Sequence, residues 1–340
     1  IGANVTNMYA TFYGCTSLIG NITIVNANVT SFTNCFYSCN ASLAKNLICP
    51  TGSNSYNLAW NTCHDKNGVT VYYNWANIFT YTTNATHANI TNWIGNAIST
   101  SPNIPNSIEG KIPFVMPDTT FSTKTTITNC YIGANVAWSG DSMLNAFRNC
   151  TNLMGVNAIP NSVTTMAYTF FDCTSLVNAP TIPNSVTNMY ATFYGCFALV
   201  NATTIPNSVT DMTYTFYGCT KLVNAPTIPN SVTTMYYTFY DCTSLVNAPT
   251  IPNSVINMIQ TFNGCTALVT APTLSSGATV MHSAFRGCTA LIGNITIVNA
   301  NVTNFVNCFY GCNASKAKNL RCPTGSASYN LAINVCNGVN

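Results

Sequence analysis

Charge is what this chain has least of. Of 340 residues, ten are Lys or Arg and seven are Asp or Glu, or 5% in all, where about 25% is usual for a globular protein. The cations are scattered and form no basic run. That excludes a nucleic-acid binder, whose affinity rests on clustered phosphate neutralisation. No apolar run approaches ~18 residues, so no transmembrane helix is encoded. Histidine is confined to His64, His87 and His282, and no Cys-x-x-Cys pair occurs, so the common zinc spacings are missing. The acids are Asp65, Glu109, Asp118, Asp141, Asp172, Asp211 and Asp241. Asp172 and Asp241 share a register but stand three repeats apart. At strand spacing that is ~14 Å, too far for two carboxylates sharing one reaction. Nothing nominates a nucleophile, so the chain reads as non-catalytic and without a cofactor.

What is present is apolar surface and neutral polarity. Hydrophobic residues make up 47%, which is not the composition of a disordered chain. Solubility must rest on Asn, Thr and Ser. The decisive feature is internal periodicity. Cys150, Cys173, Cys196, Cys219, Cys242, Cys265 and Cys288 follow one another at 23 residues, and Cys312 follows after 24. Seven before these seven stand Met143, Met166, Met189, Met212, Met235, Met258 and Met281. Three before stands a Phe, from Phe147 to Phe285, and three after a Leu, from Leu153 to Leu291. Met, a small residue, Phe and Cys thus fall at i, i+3, i+4 and i+7, one face of about two helical turns. The following "LVNAPTI" is short and extended, since its Pro forbids a helix interior. "IPNSVT" then turns the chain. A unit of strand, turn and short helix cannot bury its apolar face alone, so the copies must stack into an α/β solenoid.

The phrase "IPNSVT…TFYGCTSL" resembles the BspA-like subfamily of leucine-rich repeats, whose units carry IP-x-SV-T and then AF-x-x-C-x-x-L. The resemblance covers residues 150–312 and the fragment 1–39. Ala and Pro replace the usual aliphatic residues of the strand, and Met stands where Ile-Gly often leads into the helix. The resemblance implies a right-handed leucine-rich-repeat coil on a cell or virion surface, commonly implicated in adhesion.

A larger duplication sets the organisation. Residues 1–63 closely match 274–336, with Cys15, Cys35, Cys39, Cys49 and Cys63 corresponding to Cys288, Cys308, Cys312, Cys322 and Cys336 at an offset of 273. Both copies finish on "CPTGS-x-SYNLA", which breaks the repeat and reads as a cap. The expected division is an array end with its cap over 1–63 and a linker with the next N-terminal cap over 64–129. A second array of about eight repeats then fills 130–340, with its cap from about 313. "VTVYYNWANIFTYTT" is β-branched and aromatic and suits a hairpin or strand pair. The chain opens on Ile1 without a leader. It reads as an excerpt of tandem modules of about 273 residues, or else as an open array completed by another subunit.

Cysteine at the ladder positions reads as a small core residue. Helix spacing of ~8–10 Å would keep neighbouring ladder thiols unbridged. The cap cysteines are the candidates for disulfides: Cys49 with Cys63 and Cys322 with Cys336, with Cys35 and Cys308 as competing partners. Asn-x-Ser/Thr triplets, among them Asn21, Asn28, Asn294 and Asn301, are candidate glycosylation sites. Asn178, Asn201, Asn224 and Asn247 recur on the strand, where they could line an exposed surface. Asn161, Asn184, Asn207, Asn230 and Asn253 recur at the turn, where the expectation is bonding to backbone of the adjacent coil.

The aromatic ladder is the leading candidate surface. Phe171, Tyr194, Tyr217 and Tyr240 stand two before each Cys, with Tyr190, Tyr214, Tyr236 and Tyr237 nearby. Packing between coils and contact with a ligand both account for it. Two functions follow: an extracellular, secreted or surface-attached adhesion or recognition module for a protein or glycan ligand, or a fibre subunit binding further copies of itself.

Overall fold

A Gly, Asn or Asp stands before most of the ladder cysteines, and these residues decide the backbone. The computed structural model describes residues 1–40, 45–49, 59, 69–73, 79–83, 88–93, 103–104, 114–132, 136–274, 276–299, 301–313, 318–323 and 326–328. Within each coil, the residues five and one before Cys have positive φ: Asn145 (57°) and Asn149 (59°), Tyr214 (56°) and Gly218 (70°), Ser283 (53°) and Gly287 (70°). An α-helix needs φ near −63° at every residue, so the segment expected as a short helix is a run of turns. Ala146 donates its N–H to the Met143 carbonyl (3.0 Å), and Cys150 to that of Phe147 (3.0 Å). A positive φ at the third residue of each of these turns is the type II pattern that favours Gly and Asn. The solenoid stands; its helical part does not.

The turn run satisfies its backbone in two directions at once. Alternate N–H groups close turns, and the others reach the next coil: Met143 donates to Thr165 (3.0 Å), Asn145 to Ala167 (3.2 Å), Phe147 to Thr169 (2.9 Å) and Asn149 to Phe171 (2.7 Å). The expected strand of each repeat shrinks to single parallel bridges, Asn178 to Asn201 to Asn224 to Asn247 on one side and Thr165 to Asn188 to Asp211 to Thr234 on another. Coils therefore sit at ladder spacing, ~4.8 Å, and the helix-spacing argument about the thiols does not apply.

The core is a set of columns of like residues. Met, Phe, Cys and Leu of every coil from Met143 to Leu291 are buried, as the spacing predicts, together with the Val of "NSVT" and the Ile of "TIP". The Phe rings from Phe121 to Phe309 stack face to face with centroids 5.2–5.7 Å apart. In five coils the small residue next to Phe is a fully buried Thr whose hydroxyl donates to the Met carbonyl of the coil before, as Thr169 to Met143 (2.8 Å), Thr192 to Met166 (2.9 Å) and Thr238 to Met212 (2.8 Å), and in the coils of Phe147 and Phe285 it is Ala. Each ladder thiol donates likewise to the Phe carbonyl of the coil before, as Cys173 to Phe147 (3.0 Å) and Cys242 to Phe216 (3.1 Å). The ladder cysteines from Cys150 to Cys288 are free thiols. Carbonyls of the turn run thus gain a second donor without any charged side chain.

The chain divides into two compact units, Ile1–Thr82 with Ile90–Ser99, and Thr83–Asn89 with Thr100–Asn340. In the first, β1 (Gly20–Thr23), β2 (Lys45–Cys49) and β3 (Val69–Tyr73) form a parallel sheet. The β-branched stretch makes β3 and β4 (Phe79–Thr83), but β3 pairs with β2 and not with β4, so no hairpin forms there. The second unit opens on short strands. The first two residues of β5 (Ala88–Trp93), Ala88 and Asn89, pair there with β7 (Phe114–Met116), and β6 (Asn103–Ile104) pairs with β8 (Asn129–Ile132). β7 in turn pairs with β9 (Ala137–Trp138), and β8 with β10 (Gly155–Val156). Its far end pairs β11 (Gly293–Thr296) with β12 (Lys318–Arg321). Gly20 faces Lys45 in one unit and Gly293 faces Lys318 in the other, so the two sequence copies fold in the same register.

Candidate recognition surface

Residues two before Cys lie between a buried Phe and the turn, and so keep one edge in water. Phe171, Tyr194, Tyr217 and Tyr240 are each half-buried and stack in one row with centroids 4.4–4.6 Å apart and planes within 6° of parallel. The same register in the first unit brings Tyr13 and Tyr37 to 5.4 Å. A second row lies beside the first. Tyr168 meets Tyr190 edge-on at 5.2 Å, Tyr190 meets Tyr214 at 5.7 Å, and Tyr214 meets Tyr236 at 5.6 Å. Tyr237 joins the rows, 5.1 Å from Tyr214 and 5.4 Å from Tyr240. All eight aromatic residues singled out from the sequence therefore form one patch, to which the structure adds Tyr168.

The patch is closed at its ends by polar groups. The Arg148 guanidinium lies 4.9 Å from the Phe171 ring centre and 5.7 Å from that of Tyr168, a cation–π cap. At the other end the Gln260 amide donates to the Tyr237 hydroxyl, and Asn263 takes the register next after Tyr240. Burial, and then the neighbouring phenols, push Tyr214 up to about 12 and raise Tyr190, Tyr217 and Tyr237 as well. At neutral pH these hydroxyls are therefore protonated, able to donate and accept.

Asn178, Asn201, Asn224 and Asn247 are exposed and bridge coil to coil. The Asn201 amide donates to the Asn178 side-chain oxygen (3.3 Å), and the Thr270 hydroxyl to that of Asn247 (3.3 Å). This column lies at the surface. The turn asparagines are exposed too, and only Asn253 accepts from the next coil, from the Ser276 N–H at 3.3 Å. The expected backbone bonding falls instead to the Ser beside them: Ser185, Ser208 and Ser231 donate to Val163, Val186 and Val209 carbonyls at 2.5–2.7 Å. The signal was in "PNSV" itself, since Ser is the smaller donor next to the buried Val.

A shallow groove of about 500 Å³ opens beside Tyr168 and Tyr190, with Thr187, Asn188, Thr210 and Asp211 along it. Met154, Val177, Val223, Val246 and Ile292 stand one before the Asn register and are exposed. The sequence reading passed over both features. Asn28 and Asn301 are exposed, while Asn21 and Asn294 fall within β1 and β11. Cys49 is buried and Cys322 half-buried, and Cys63 and Cys336 lie outside the described residues. Among the described residues no group of His, Cys, Asp and Glu is placed to hold a metal ion, and no helix is long and apolar enough to cross a membrane.

Comparison with known proteins agrees with this geometry. A family described as a BspA type leucine rich repeat region matches residues 115–246 and 190–316. A family described as a Mycoplasma protein of unknown function matches residues 2–101. No curated protein matches the chain. Among solved structures, a leucine-rich repeat protein from Bacteroides ovatus superposes with a TM-score of 0.51 at 21% identity, over 72% of this chain and 75% of its own. A T. pallidum leucine rich repeat protein gives 0.48 at 23% identity, over 57% of this chain and 89% of its own. The likeness is one of fold, and the repeat motif matches across more than half the chain: this protein belongs to the BspA-type leucine-rich-repeat family.

Proposed function

We propose that the chain is a non-catalytic extracellular recognition module whose working surface is the aromatic patch. One observation carries this reading. Nine aromatic side chains are held half-exposed in two ordered rows on a protein with 5% charge, although stacking the core needs only the buried Phe column. Rigid, amphipathic rings, most of them carrying a hydroxyl, suit glycan or protein contact. An oxidising compartment fits the ladder thiols, which burial keeps protonated and out of reach of oxidants. The same setting suits the expected cap bridges and glycosylation at Asn28 and Asn301. The shared register of the two copies supports tandem modules of about 273 residues.

Beads carrying the chain are expected to capture cells with a glycan-rich surface. The triple variant Tyr194→Ser/Tyr217→Ser/Tyr240→Ser, shown by melting to be folded, is expected to lose at least tenfold in capture. Capture equal to that of the unaltered chain would remove the patch from the account.

A second reading rests on the exposed column of Met154, Val177, Val223, Val246 and Ile292. An apolar stripe with little charge around it favours lateral association, hence a fibre. Sedimentation velocity from micromolar to near-millimolar chain separates the two readings. Filaments dissolved by Val177→Asn/Val223→Asn/Val246→Asn support the fibre, and a monomer at all concentrations ends it.

A further inference from the structure

We infer that the groove beside Tyr168 and Tyr190 is a subsite for a neutral pyranose, with Asp211 as the group that holds its hydroxyls. The inference rests on the recognition reading and adds to it a place and a ligand class. It starts from a break in the coil-to-coil ladder. At one register Thr30, Thr164, Thr187, Thr233, Ile256, Thr279 and Thr303 each donate a backbone N–H to the coil before, at 2.6–3.0 Å. Among the described residues of this register from Thr164 to Thr303, Thr210 alone donates no such bond. Nor does its hydroxyl, whereas those of Thr164, Thr187 and Thr233 bond the preceding coil at 3.2–3.3 Å. The parallel bridge between Asn188 and Asp211 is kept. The rung is loosened where the groove lies, leaving the Thr187 carbonyl and the Thr210 hydroxyl to other partners.

Asp211 is the second observation. Asp172 and Asp241 stand where the next coil has Gly195 and Gly264, and each carboxylate fills the space a Cβ would take there. Asp211 has no such compensation. Its register is filled elsewhere by Ser142, Thr165, Asn188 and Asn257, all of which accept the same local N–H bond. One Asp211 oxygen accepts the Thr213 N–H at 2.7 Å, so a neutral residue would serve the turn as well. The carboxylate adds a second oxygen, and Asn188 lines the same groove. Two phenol faces set at 61°, a carboxylate, an amide and two Thr hydroxyls suit a ring with an apolar C–H face and vicinal hydroxyls. The groove volume lies within the range of small-molecule sites. A quaternary ammonium would also accept the carboxylate and the rings, but it leaves the amide and hydroxyls unused.

The test is saturation-transfer NMR of the full chain with methyl glucoside, galactoside and mannoside, and with choline chloride in a separate arm. At least one hexoside is expected to receive saturation. Asp211→Asn, which keeps the local turn as Asn188 does, is expected to weaken it at least tenfold, and Tyr190→Ala to abolish it. No hexoside signal, a signal unchanged in Asp211→Asn, or a signal from choline alone overturns the inference. The triple tyrosine variant is expected to retain hexoside binding. In the unaltered chain, cell capture without hexoside binding sinks the groove and leaves the patch, and hexoside binding without cell capture sinks the patch.

Discussion

At the residue scale, one thiol per coil shows how a polar atom is stored in a dry core. Each ladder Cys is small enough for its column and spends its proton on a neighbouring carbonyl. Burial raises the thiol pKa throughout, to about 12 for Cys150 from an ordinary 9, with the same direction at Cys173, Cys196, Cys219, Cys242, Cys265 and Cys288. The unfolded chain therefore sheds these protons at lower pH than the folded one. Stability from them is complete below about pH 8 and is lost as pH rises from about 9 towards 12. Urea midpoints at pH 7, 9 and 10.5 should fall in that order, less steeply in Cys150→Ala, and a flat profile contradicts the assignment. A thiol reagent at pH 8 should spare the ladder from Cys150 to Cys288 until the protein unfolds. The role of Cys as core was legible from its spacing. Its acceptor was not, because the acceptor belongs to another coil's backbone.

At the scale of the element, the turn run replaced a helix that the spacing advertised. Positions i, i+3, i+4 and i+7 line one face of a helix, but they also line a ribbon of turns, and periodicity alone does not separate the two. The glycines did carry the difference: Gly195, Gly218, Gly264 and Gly287 recur at a site where a helix would lose stability and a positive φ needs them. Two of these glycines can be compared directly. At Gly218, with φ +70°, a Cβ would meet nothing nearer than 3.6 Å, whereas at Gly195, with φ +68°, it would lie 2.0 Å from an Asp172 oxygen. Gly218→Ala is expected to cost about 1–2 kcal/mol from the left-handed backbone alone. Gly195→Ala should cost more, and Asp172→Ala should recover only the excess in a double-mutant cycle read by urea denaturation. Equal losses at the two glycines would show that the Asp172 side chain simply moves aside.

At the scale of the whole molecule, columns of like residues make one coil interchangeable with the next. The period and the buried columns were readable in the sequence, as was the aromatic patch. The groove was not, because it arises from one missing rung that no residue type announces. Deleting residues 243–265 joins Cys242 to Thr266 as Cys173 joins Thr174, and leaves every column in register. This shortened chain is expected to melt cooperatively with a slightly lower midpoint, since repeat arrays are close to additive in their interfaces. Deleting only 243–253 puts half a coil out of register and is expected to abolish the cooperative melt. Circular dichroism melts of both chains check this.

The double bonding of the turn run has a mechanical side. Coils from Met143 to Cys288 are tied to one another by alternating backbone bonds and by a Cys donor, with a Thr donor in most coils and a loosened rung at Thr210. Load applied along the stack therefore meets similar fastenings in series, the weakest at the loosened rung, rather than one strong lock. Coils give way one at a time, each paying out about 75 Å of chain from a repeat of 23 residues. They re-engage in any register that pairs like with like. An array built this way yields in steps of one coil length, beginning where the rung is already loose.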